Sequence, residues 1–473
     1  MNTSAKPMVY STQYDRSACK VGIVHLGYGA FHRAHQAVYI DDYLESTGDL
    51  NWGIAAVNLR AEESASFAQN AQSDTGYVLK SVAPDGDTKL RRVRSHLEFR
   101  DWSEDQGYAE ALLALPTVQA VTITVTESGY YGDASGTLDP LNETIAAELA
   151  GGTKRSVYSY LTAGLDLRRT GTGKPISVLC CDNIQQNGKK LRRNLMRYLT
   201  LAGHTELAEW VSQNVTFPCS MVDRITPRGT AEMRADIEAQ LGAQPAAPVM
   251  AEAFSQWVLE GDFAGPMPQL AKVGVIIAQD VDPYEEAKLR ILNGGHTCLS
   301  YFAALKGIVT FDEAMRDPEL LEHFTRYETD EVLVGLTLDL PFDKSAYLAE
   351  IAARFGNKAI GDTVARICTD GMAKFPIFIR PTLASCLAQG VVPIHGIRSA
   401  ASWYIFAKRV EAGRIPFEYV EPSWAELSQM LADPTKTRFV ESEKLWGDLP
   451  KSYPEFAQQL RASIEEMEKS WPI

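Results

Sequence analysis

Four short, almost continuously apolar runs alternate with segments of helical periodicity in the first part of the chain. This alternation limits the folds that the chain can adopt more than any other feature of the sequence. The runs comprise 20–26, 52–59, 120–126 and 175–181, and each is followed by a glycine or a polar residue. Strands that are apolar along their whole length are buried on both faces, as in a parallel sheet covered by helices. The sequence therefore predicts an α/β fold for this part of the chain.

The character of the sequence changes after about residue 280, where long helical patterns replace the alternation. These patterns are 284–292, 297–305, 345–353, 398–412, 424–431 and 456–467. At about 150 residues per domain, a chain of 473 residues is long enough for two or three domains. The sequence predicts an α/β domain over 1–280 and a mostly α-helical domain over 281–473.

Charge and composition exclude several classes of partner. The chain has 46 Lys and Arg residues against 60 Asp and Glu residues, a formal net charge of −14, which argues against binding of a nucleic-acid backbone. The seven cysteines include no CxxC pair, and His32 and His35 have no carboxylate close in sequence, so we predict no metal site and no disulfide framework. The polar N-terminus and the lack of an apolar run of about 18 residues argue against a signal peptide and a membrane span. We therefore expect a cytoplasmic protein.

The first apolar run leads into Gly27-Tyr28-Gly29 at the start of a helical pattern. Closely spaced glycines after a strand permit a tight turn and let a pyrophosphate approach the backbone of the next helix. The third glycine of a GxGxxG motif is replaced by His32, so an ordinary strand-to-helix turn is the alternative. The residues of this turn that we predict to bind a dinucleotide are Gly27, Gly29, Ala30, Phe31 and Arg33.

The end of the second apolar run bears on which dinucleotide is bound, because an acidic residue there commonly binds the adenosine ribose. Asn58 occupies this position, and Glu62 and Glu63 follow it. Their carboxylates favour NAD, and both are predicted to contact the cofactor. Arg60 could instead attract a 2′-phosphate, so NADP is not excluded.

Lys288, Asn293 and His296 stand at offsets 0, 5 and 8 in a segment of helical periodicity. In an α-helix these positions lie at about 0°, 140° and 80° around the axis, on one broad side. A lysine with a lowered pKa can act as a general base, and an asparagine amide can donate to an oxygen that becomes negative. The small residues Gly294-Gly295 would let a ligand approach the backbone. The alternative is a lysine whose ammonium group reaches solvent and a histidine satisfied within the core.

Two further polar pairs follow apolar runs. Asp182-Asn183 stands at the C-terminal end of a predicted parallel strand, the edge at which open sheets bind ligands, although a simple Asx turn is the alternative. Asp223-Arg224 follows the apolar stretch 215–221. This pair fits a buried structural ion pair as well as a position in a binding cleft.

Six stretches together resemble the long-chain mannitol dehydrogenase family, which includes polyol dehydrogenases and uronate reductases. They are HLGYGAFHRAHQ (25–36), VTESGYY (125–131), CCDNIQQNG (180–188), VTFPCSMVDRITP (215–227), QWVLEGDF (256–263) and KLRILNGGH (288–296). The resemblance implies a Rossmann-type doubly wound domain followed by a mostly α-helical C-terminal domain. It also implies NAD(P)-dependent oxidation of a secondary alcohol without a metal ion.

The resemblance further implies a role for individual polar residues. Lys288 would be the general base, and Asn183 and Asn293 would stabilise the negative oxygen. His296 would bind substrate hydroxyls, and Glu285 would gate the exit of the proton. Further residues implied at the substrate site are Asp223, Arg366 and Lys374.

Within the family, the stretches 178–188, 374–383 and 445–460 resemble D-arabinitol 4-dehydrogenases more than uronate reductases. This implies an NAD-dependent enzyme that interconverts a C5–C6 sugar alcohol and its ketose, such as D-arabinitol and D-xylulose or D-mannitol and D-fructose. The stretch 370–380 departs from the uronate reductase pattern, which argues against a substrate that carries a carboxylate. A fructuronate- or tagaturonate-type reductase is the enzymatic alternative, and a nucleotide-binding regulator is the non-enzymatic one. The expected assembly is a monomer or a small homo-oligomer.

Overall fold

The computed structural model describes residues 9–71, 75–133, 136–227, 229–241, 247–336, 340 and 342–472. The chain forms two compact units. The first comprises Met1–Ala83 and Asp87–Val281, and the second comprises Pro84–Gly86 and Asp282–Ile473. The first unit is α/β and the second is mostly α-helical, which confirms the predicted fold class.

Thirteen strands lie in the described part of the first unit. They are β1 Val9–Ser11, β2 Val21–Leu26, β3 Gly53–Asn58, β4 Tyr77–Val82, β5 Thr88–Val93, β6 His96–Asp101, β7 Ala120–Ile123, β8 Ile176–Cys180, β9 Val215–Thr216, β10 Ser220–Asp223, β11 Val249–Glu252, β12 Gln256–Glu260 and β13 Ile276–Ala278. Six of them form the central sheet in the order β6-β3-β2-β7-β8-β9, and every neighbouring pair is parallel. Counted along the chain within this sheet, the order is 3-2-1-4-5-6, the doubly wound arrangement of Rossmann-type folds. The four apolar runs of the sequence form its four inner strands.

Helices cover both faces of this sheet. The helices of the first unit are α1 Ala30–Ala34, α2 Gln36–Thr47, α3 Ser64–Ala71, α4 Gln106–Ala111, α5 Glu143–Leu149, α6 Val157–Thr170, α7 Asn187–Leu201, α8 Thr205–Asn214 and α9 Ala231–Leu241, with 3₁₀ turns at Arg16–Ala18, Ala61–Glu63, Leu112–Ala114, Glu127–Tyr130 and Leu270–Val273. Of these helices, α9 packs on β4 and β5 instead of the central sheet. Val24 and Val121 belong to one core with residues of α4, α6 and α7. Their strand neighbours Ile23 and Ala120 belong to a second core with residues of α2. Because side chains alternate along a strand, an apolar strand supplies both cores at once.

Two smaller sheets, which the sequence did not predict, complete the first unit. One has the order β1-β5-β4-β11 with an antiparallel pair β4 and β5 at its centre, and the other has the order β10-β12-β13. Most of their strands mix charged or polar residues with apolar ones. In β5, which reads TKLRRV, only Leu90, Arg92 and Val93 are buried. Such strands show neither a continuous apolar run nor strict alternation, the two patterns that identify strands in a sequence.

The second unit is built from helices. They are α10 Asp282–Ala287, α11 Gly294–Leu305, α12 Phe311–Ala314, α13 Pro318–Arg326, α14 Leu333–Gly335, α15 Lys344–Phe355, α16 Val364–Ile367, α17 Gly371–Lys374, α18 Arg380–Ala388, α19 Ile394–Glu411, α20 Trp424–Leu431, α21 Thr437–Val440, α22 Glu443–Trp446, α23 Leu449–Ser452 and α24 Pro454–Ser470, with π-helical segments at Lys288–Asn293, Tyr327–Val332 and Phe375–Ile379. Every residue of α11 is buried, so α11 forms the centre of this unit's core. Within the described residues, no helix combines the length and the apolar character needed to cross a bilayer.

A buried arginine joins three segments of the first unit. The guanidinium of Arg168, on α6, is fully buried and donates to the carbonyl groups of Leu113 (2.8 Å), Val118 (3.0 Å), Lys174 (2.7 Å) and Pro175 (3.0 Å). These carbonyls belong to the segments that lead into β7 and β8. Since a buried carbonyl without a donor is costly, Arg168 fixes where these two inner strands begin.

We therefore expect Arg168→Met to lower the free energy of unfolding by about 3–5 kcal/mol, because four carbonyls, two of them on the buried residues Leu113 and Val118, lose their donor. The matched control is Arg169→Met, which removes a half-buried guanidinium bound to Asp166 and Glu206 and should cost less than about 1 kcal/mol. Urea unfolding followed by circular dichroism measures both. Equal effects in the two variants would contradict the role given to Arg168.

Candidate active site

Gly27 stands immediately after β2 in a conformation that only glycine adopts without strain. Its φ is +96°, and a Cβ atom there would lie 2.1 Å from the carbonyl oxygen of Thr124. Gly29 is different: its φ is −75° and no described atom lies within 4 Å of the place a Cβ would take. Gly27 is therefore required by the fold, whereas the exposed Gly29 leaves open space beside the backbone. The turn thus offers the close backbone approach that a pyrophosphate requires.

The other predicted cofactor residues of this turn lie on the short helix α1. Ala30 and Phe31 are half-buried, and the Phe31 ring stacks on His35 at a centroid distance of 5.0 Å. Arg33 is buried, donates to the Ala247 carbonyl (2.9 Å) and lies 5.3 Å over the ring of Tyr28. The contacts of Arg33 are thus made within the first unit, and its role toward a cofactor stays a prediction.

A cluster of buried histidines lies beneath the glycine turn. The rings of His25 and His32 stack at 3.3 Å, and His32 Nε2 lies 2.9 Å from His96 Nε2. His25 also contacts the hydroxyls of Thr122 (2.8 Å) and Thr124 (2.9 Å). Burial lowers the pKa of all three histidines well below the usual value, so they pack as neutral rings. The described residues contain no group of three or more His, Cys, Asp and Glu side chains suited to a metal ion.

The segment after β3 carries the residues predicted to select the dinucleotide. Asn58 is buried and donates to the Arg60 carbonyl (2.8 Å). The Arg60 guanidinium donates to the carbonyl of Val125 (2.9 Å) and lies 3.6 Å from Glu63. Glu62 and Glu63 are exposed. The arginine that could attract a 2′-phosphate is therefore already engaged, while the two carboxylates are accessible.

Asp182 connects the loops that follow β7 and β8, a role that the sequence did not reveal. Its carboxylate accepts from the backbone N–H of Val125 (2.9 Å) and Thr126 (3.0 Å) and from the Tyr130 hydroxyl (2.6 Å). Burial raises the pKa of Asp182 to about 6. Asn183 follows it and is exposed at the C-terminal edge of the sheet, where open α/β sheets bind ligands. The only sequence signal for Asp182 was its place next to Asn183.

Asp223 and Arg224 do not play equivalent roles. Arg224 is buried and donates to the carbonyls of Ala34 and Glu252 and to the Ser81 hydroxyl (3.1 Å). It is thus a structural residue that ties β10 to neighbouring segments. Asp223, the last residue of β10, is 4 % exposed, and its role at the substrate site stays a prediction.

In the second unit, a continuous helix from α10 to α11 carries Glu285, Lys288, Asn293 and His296. The prediction of a regular α-helix was wrong here, because 288–293 is a π-helical segment. In a π-helix the hydrogen bond joins residues i and i+5, so Lys288 and Asn293 lie about one turn apart. In an α-helix they would point about 140° apart. The π-helical segment therefore brings these two residue positions toward one side of the helix.

These four residues are held in a largely buried setting. Lys288 is 7 % exposed, His296 8 % and Glu285 9 %. The Oδ1 atom of Asn293 is buried and has no hydrogen-bond partner among the described residues. A buried polar atom without a partner is unusual in a folded protein, and a hydroxyl group of a bound ligand would satisfy it.

His296 lies between two aromatic rings and faces cations. Its ring stacks on Phe355 at 3.9 Å and meets the edge of Phe311 at 4.8 Å. Burial, together with the nearby charges of Arg366, Arg354 and Lys374, lowers the pKa of His296 well below the usual value. The imidazole is therefore neutral, and it can both donate and accept hydrogen bonds.

The two cations predicted at the substrate site are already bound within the second unit. Arg366 makes a bidentate pair with Asp362, with two N–O distances of 2.6 Å. The Nζ atom of Lys374 donates to the carbonyl of Ile367 (2.7 Å) and to the Thr369 hydroxyl (3.1 Å). Burial lowers the pKa of Lys374 to about 8.

The structure gives Gly294 and Gly295 another explanation than close approach of a ligand. A Cβ at position 294 would lie 3.1 Å from the Tyr327 hydroxyl, and one at 295 would lie 2.8 Å from both Glu328 Oε1 and a ring carbon of Phe324. The space beside both glycines is thus filled by the unit's own side chains. The predicted approach of a ligand to this backbone was wrong, and the glycines serve packing.

Known proteins resemble this chain along most of its length. The model of the mannitol dehydrogenase Rossmann domain matches residues 21–272, and that of the mannitol dehydrogenase C-terminal domain matches residues 280–468. D-arabinitol 4-dehydrogenase of Ralstonia nicotianae is 36 % identical over 432 residues, which cover 90 % of this chain and 92 % of that protein. Mannitol 2-dehydrogenase of Cereibacter sphaeroides is 34 % identical over 455 residues, which cover 95 % of each protein.

Among solved structures, the ternary complex of Pseudomonas fluorescens mannitol 2-dehydrogenase with NAD and D-mannitol matches with a TM-score of 0.86 and 31 % identity. The match covers 98 % of this chain and 95 % of that one. The resemblance inferred from the six sequence stretches is thus confirmed. This chain belongs to the mannitol dehydrogenase family, and it is an oxidoreductase with a Rossmann-type domain and a helical C-terminal domain.

Proposed function

We propose that this protein is an NAD-dependent polyol dehydrogenase that interconverts a C5–C6 sugar alcohol, such as D-arabinitol or D-mannitol, and its ketose. The observation that carries the proposal is the π-helical segment 288–293, in which a buried lysine and an asparagine five positions later lie about one turn apart. An amine that accepts a proton and an amide that donates to the resulting oxygen are what oxidation of an alcohol requires. The names of relatives that act on D-arabinitol and mannitol support the same substrate class.

The glycine turn after β2 fits a dinucleotide. Gly27 allows the turn, the open space at Gly29 admits the pyrophosphate, and Ala30 follows at the start of α1. Bound NAD supplies the nicotinamide ring that accepts the hydride. Glu62 and Glu63 are exposed near the end of β3, whereas Arg60 is engaged with Val125 and Glu63. This arrangement favours NAD over NADP.

The mechanism assigns one task to each polar residue. Unprotonated Lys288 accepts the proton of the hydroxyl group, and NAD, when bound, would supply the acceptor for the carbon-bound hydrogen as a hydride. Asn183 and Asn293 donate hydrogen bonds to the oxygen as it becomes negative, which is worth about 3 kcal/mol per donor. Neutral His296 binds a neighbouring hydroxyl, and Glu285, three residues before Lys288, receives the proton on its way to solvent.

The charges around Lys374 favour a neutral substrate over a uronate. Recognition of a carboxylate requires a cation that is free to pair with it. Arg366 already has a bidentate carboxylate partner in Asp362, and Lys374 already donates to two oxygen atoms of its own unit. A polyol hydroxyl, which is neutral, can share such donors without displacing an ion pair.

Replacing the proposed base tests the mechanism most simply. Lys288→Ala should lower kcat by at least about a thousandfold, because no group is left to accept the proton, and should leave the Kd of NADH within about twofold. Lys306→Ala, which removes an ion pair with Asp317 and Glu319 on the same unit, is the matched control and should keep turnover within about twofold. Turnover of Lys288→Ala near that of the control would contradict the assignment.

Two glycine variants test the dinucleotide site. Gly29→Ala should weaken NADH binding by about tenfold while changing the free energy of unfolding by less than about 1 kcal/mol, because its Cβ meets no atom of the protein. Gly27→Ala should destabilise the first unit by at least about 2 kcal/mol, because of its positive φ and the contact with Thr124. Fluorescence titration with NADH and urea unfolding measure the two effects. Unchanged NADH binding by Gly29→Ala would argue against the site.

A panel of substrates and coenzymes tests the proposed activity itself. Purified protein with NAD should oxidise D-arabinitol or D-mannitol, with kcat/KM at least about tenfold higher than with NADP, since Arg60 is not free for a 2′-phosphate. D-mannonate should be a poor substrate, because Arg366 is paired with Asp362 and Lys374 already donates to two oxygen atoms of its own unit. Turnover of D-mannonate alone would contradict the polyol assignment and favour a uronate reductase.

A further inference from the structure

A segment remote in sequence holds the start of the helix that carries Lys374. We call this segment, residues 419–421, the clamp. Three consecutive backbone N–H groups donate to three consecutive clamp residues: Asp370 to the Val420 carbonyl (2.9 Å), Gly371 to the Tyr419 hydroxyl (3.4 Å) and Met372 to Glu421 Oε2 (3.1 Å). The first N–H groups of a helix have no partner within that helix. The clamp therefore supplies the partners for the beginning of α17.

The clamp is itself fixed by buried contacts. The Tyr419 hydroxyl donates to Glu421 Oε2 (2.9 Å) and accepts from Trp403 Nε1 (3.1 Å). Trp403 is fully buried and stacks on Phe375 at 4.5 Å. Glu421 is 8 % exposed, and its second oxygen accepts from the N–H of Ser423 (3.2 Å). Glu421 thus joins a rigid aromatic cluster to the backbone of α17.

Lys374 is the last residue of α17, one turn after the N–H groups that the clamp binds. A displacement of Gly371 or Met372 would therefore move the Lys374 amine away from Ile367 and Thr369, its acceptors on the preceding segment. The charged and titratable groups that face this amine are Cys368, Asp370, Arg366 and Glu421, and His296 also senses its charge. Of these, Glu421 alone is both a clamp residue and an acceptor for the helix backbone.

We propose that Glu421 is a positioning residue for catalysis: its carboxylate holds the start of α17 so that the Lys374 ammonium group is presented to a substrate hydroxyl. This rests on the proposed function, in which a polyol hydroxyl shares the donors of Lys374. Glu421 touches neither substrate nor cofactor and acts through Lys374.

The test compares Glu421→Gln with Glu418→Gln, an exposed glutamate next to the clamp. Glu421→Gln has the same shape but loses the negative acceptor, so the KM of the polyol should rise about tenfold while kcat and the Kd of NADH stay within about twofold. Glu418→Gln should behave as the wild type. Tyr419→Phe, which removes the hydroxyl that joins Trp403 to Glu421, should raise KM in the same direction and serves as a second variant if Glu421→Gln does not fold. An equal KM in all variants would overturn the proposal.

A double-mutant cycle shows whether Glu421 acts through Lys374. In a Lys374→Met background, Glu421→Gln should no longer change KM, since the group that it positions is missing. A full tenfold rise in that background would overturn the proposal.

Labelling of the Lys374 amine by acetic anhydride across pH gives a readout that needs no turnover. The midpoint should lie near pH 8 in the wild type and higher in Tyr419→Phe, which keeps the Glu421 charge but releases the clamp, because burial is the main cause that lowers the pKa of Lys374. A shifted midpoint supports the proposal that the clamp holds α17. If Lys374→Met nevertheless leaves KM unchanged, Lys374 does not bind the polyol and has no place in the proposed function. An unchanged midpoint would overturn the proposal that the clamp holds α17.

Discussion

The chemistry proposed for this protein depends on one irregular helical turn. Over 288–293 the backbone is π-helical, so residues five apart lie about one turn apart. Asn293 follows Lys288 by five positions. In a regular α-helix, two residues at this spacing point about 140° apart. Such π-helical segments are rare and are frequently found at functional sites. Here the following helix α11 is buried along its whole length, so packing can stabilise the irregular turn that precedes it.

The polar residues of the fold divide into those that shape the structure and those left for a ligand. Arg168, Asp182 and Arg224 are buried and bind several backbone groups each. Such groups are costly to leave without partners, and these residues fix strands and loops. Asn293 retains a buried oxygen without a partner among the described residues, and Gly29 leaves unfilled space beside the backbone. These two features belong to the residues proposed to bind substrate and cofactor.

Much of the fold follows from local sequence pattern, and the parts that were missed depend on distant contacts. The inner strands β2, β3, β7 and β8 were predictable because burial on both faces leaves a continuous apolar run. The pair β4 and β5 was missed because its residues mix charge with apolar character. Lys288, Asn293 and His296 were singled out by their spacing, which left a structural alternative open until the family resemblance was considered, yet the π-helical turn between them has no comparable signal. Met372, the partner of Glu421 on α17, lies 49 residues earlier in the chain, a distance over which spacing rules say nothing.

The most direct measurement of the central claim is a crystal structure of the protein with NADH and a polyol. The Lys288 amine and the amide nitrogens of Asn183 and Asn293 should all lie within about 3.2 Å of the same hydroxyl oxygen, the distance of a hydrogen bond. That oxygen should belong to the carbon nearest the nicotinamide ring. A hydroxyl oxygen bound by other side chains or by a metal ion, with the Lys288 amine beyond hydrogen-bond distance, would contradict the proposed chemistry.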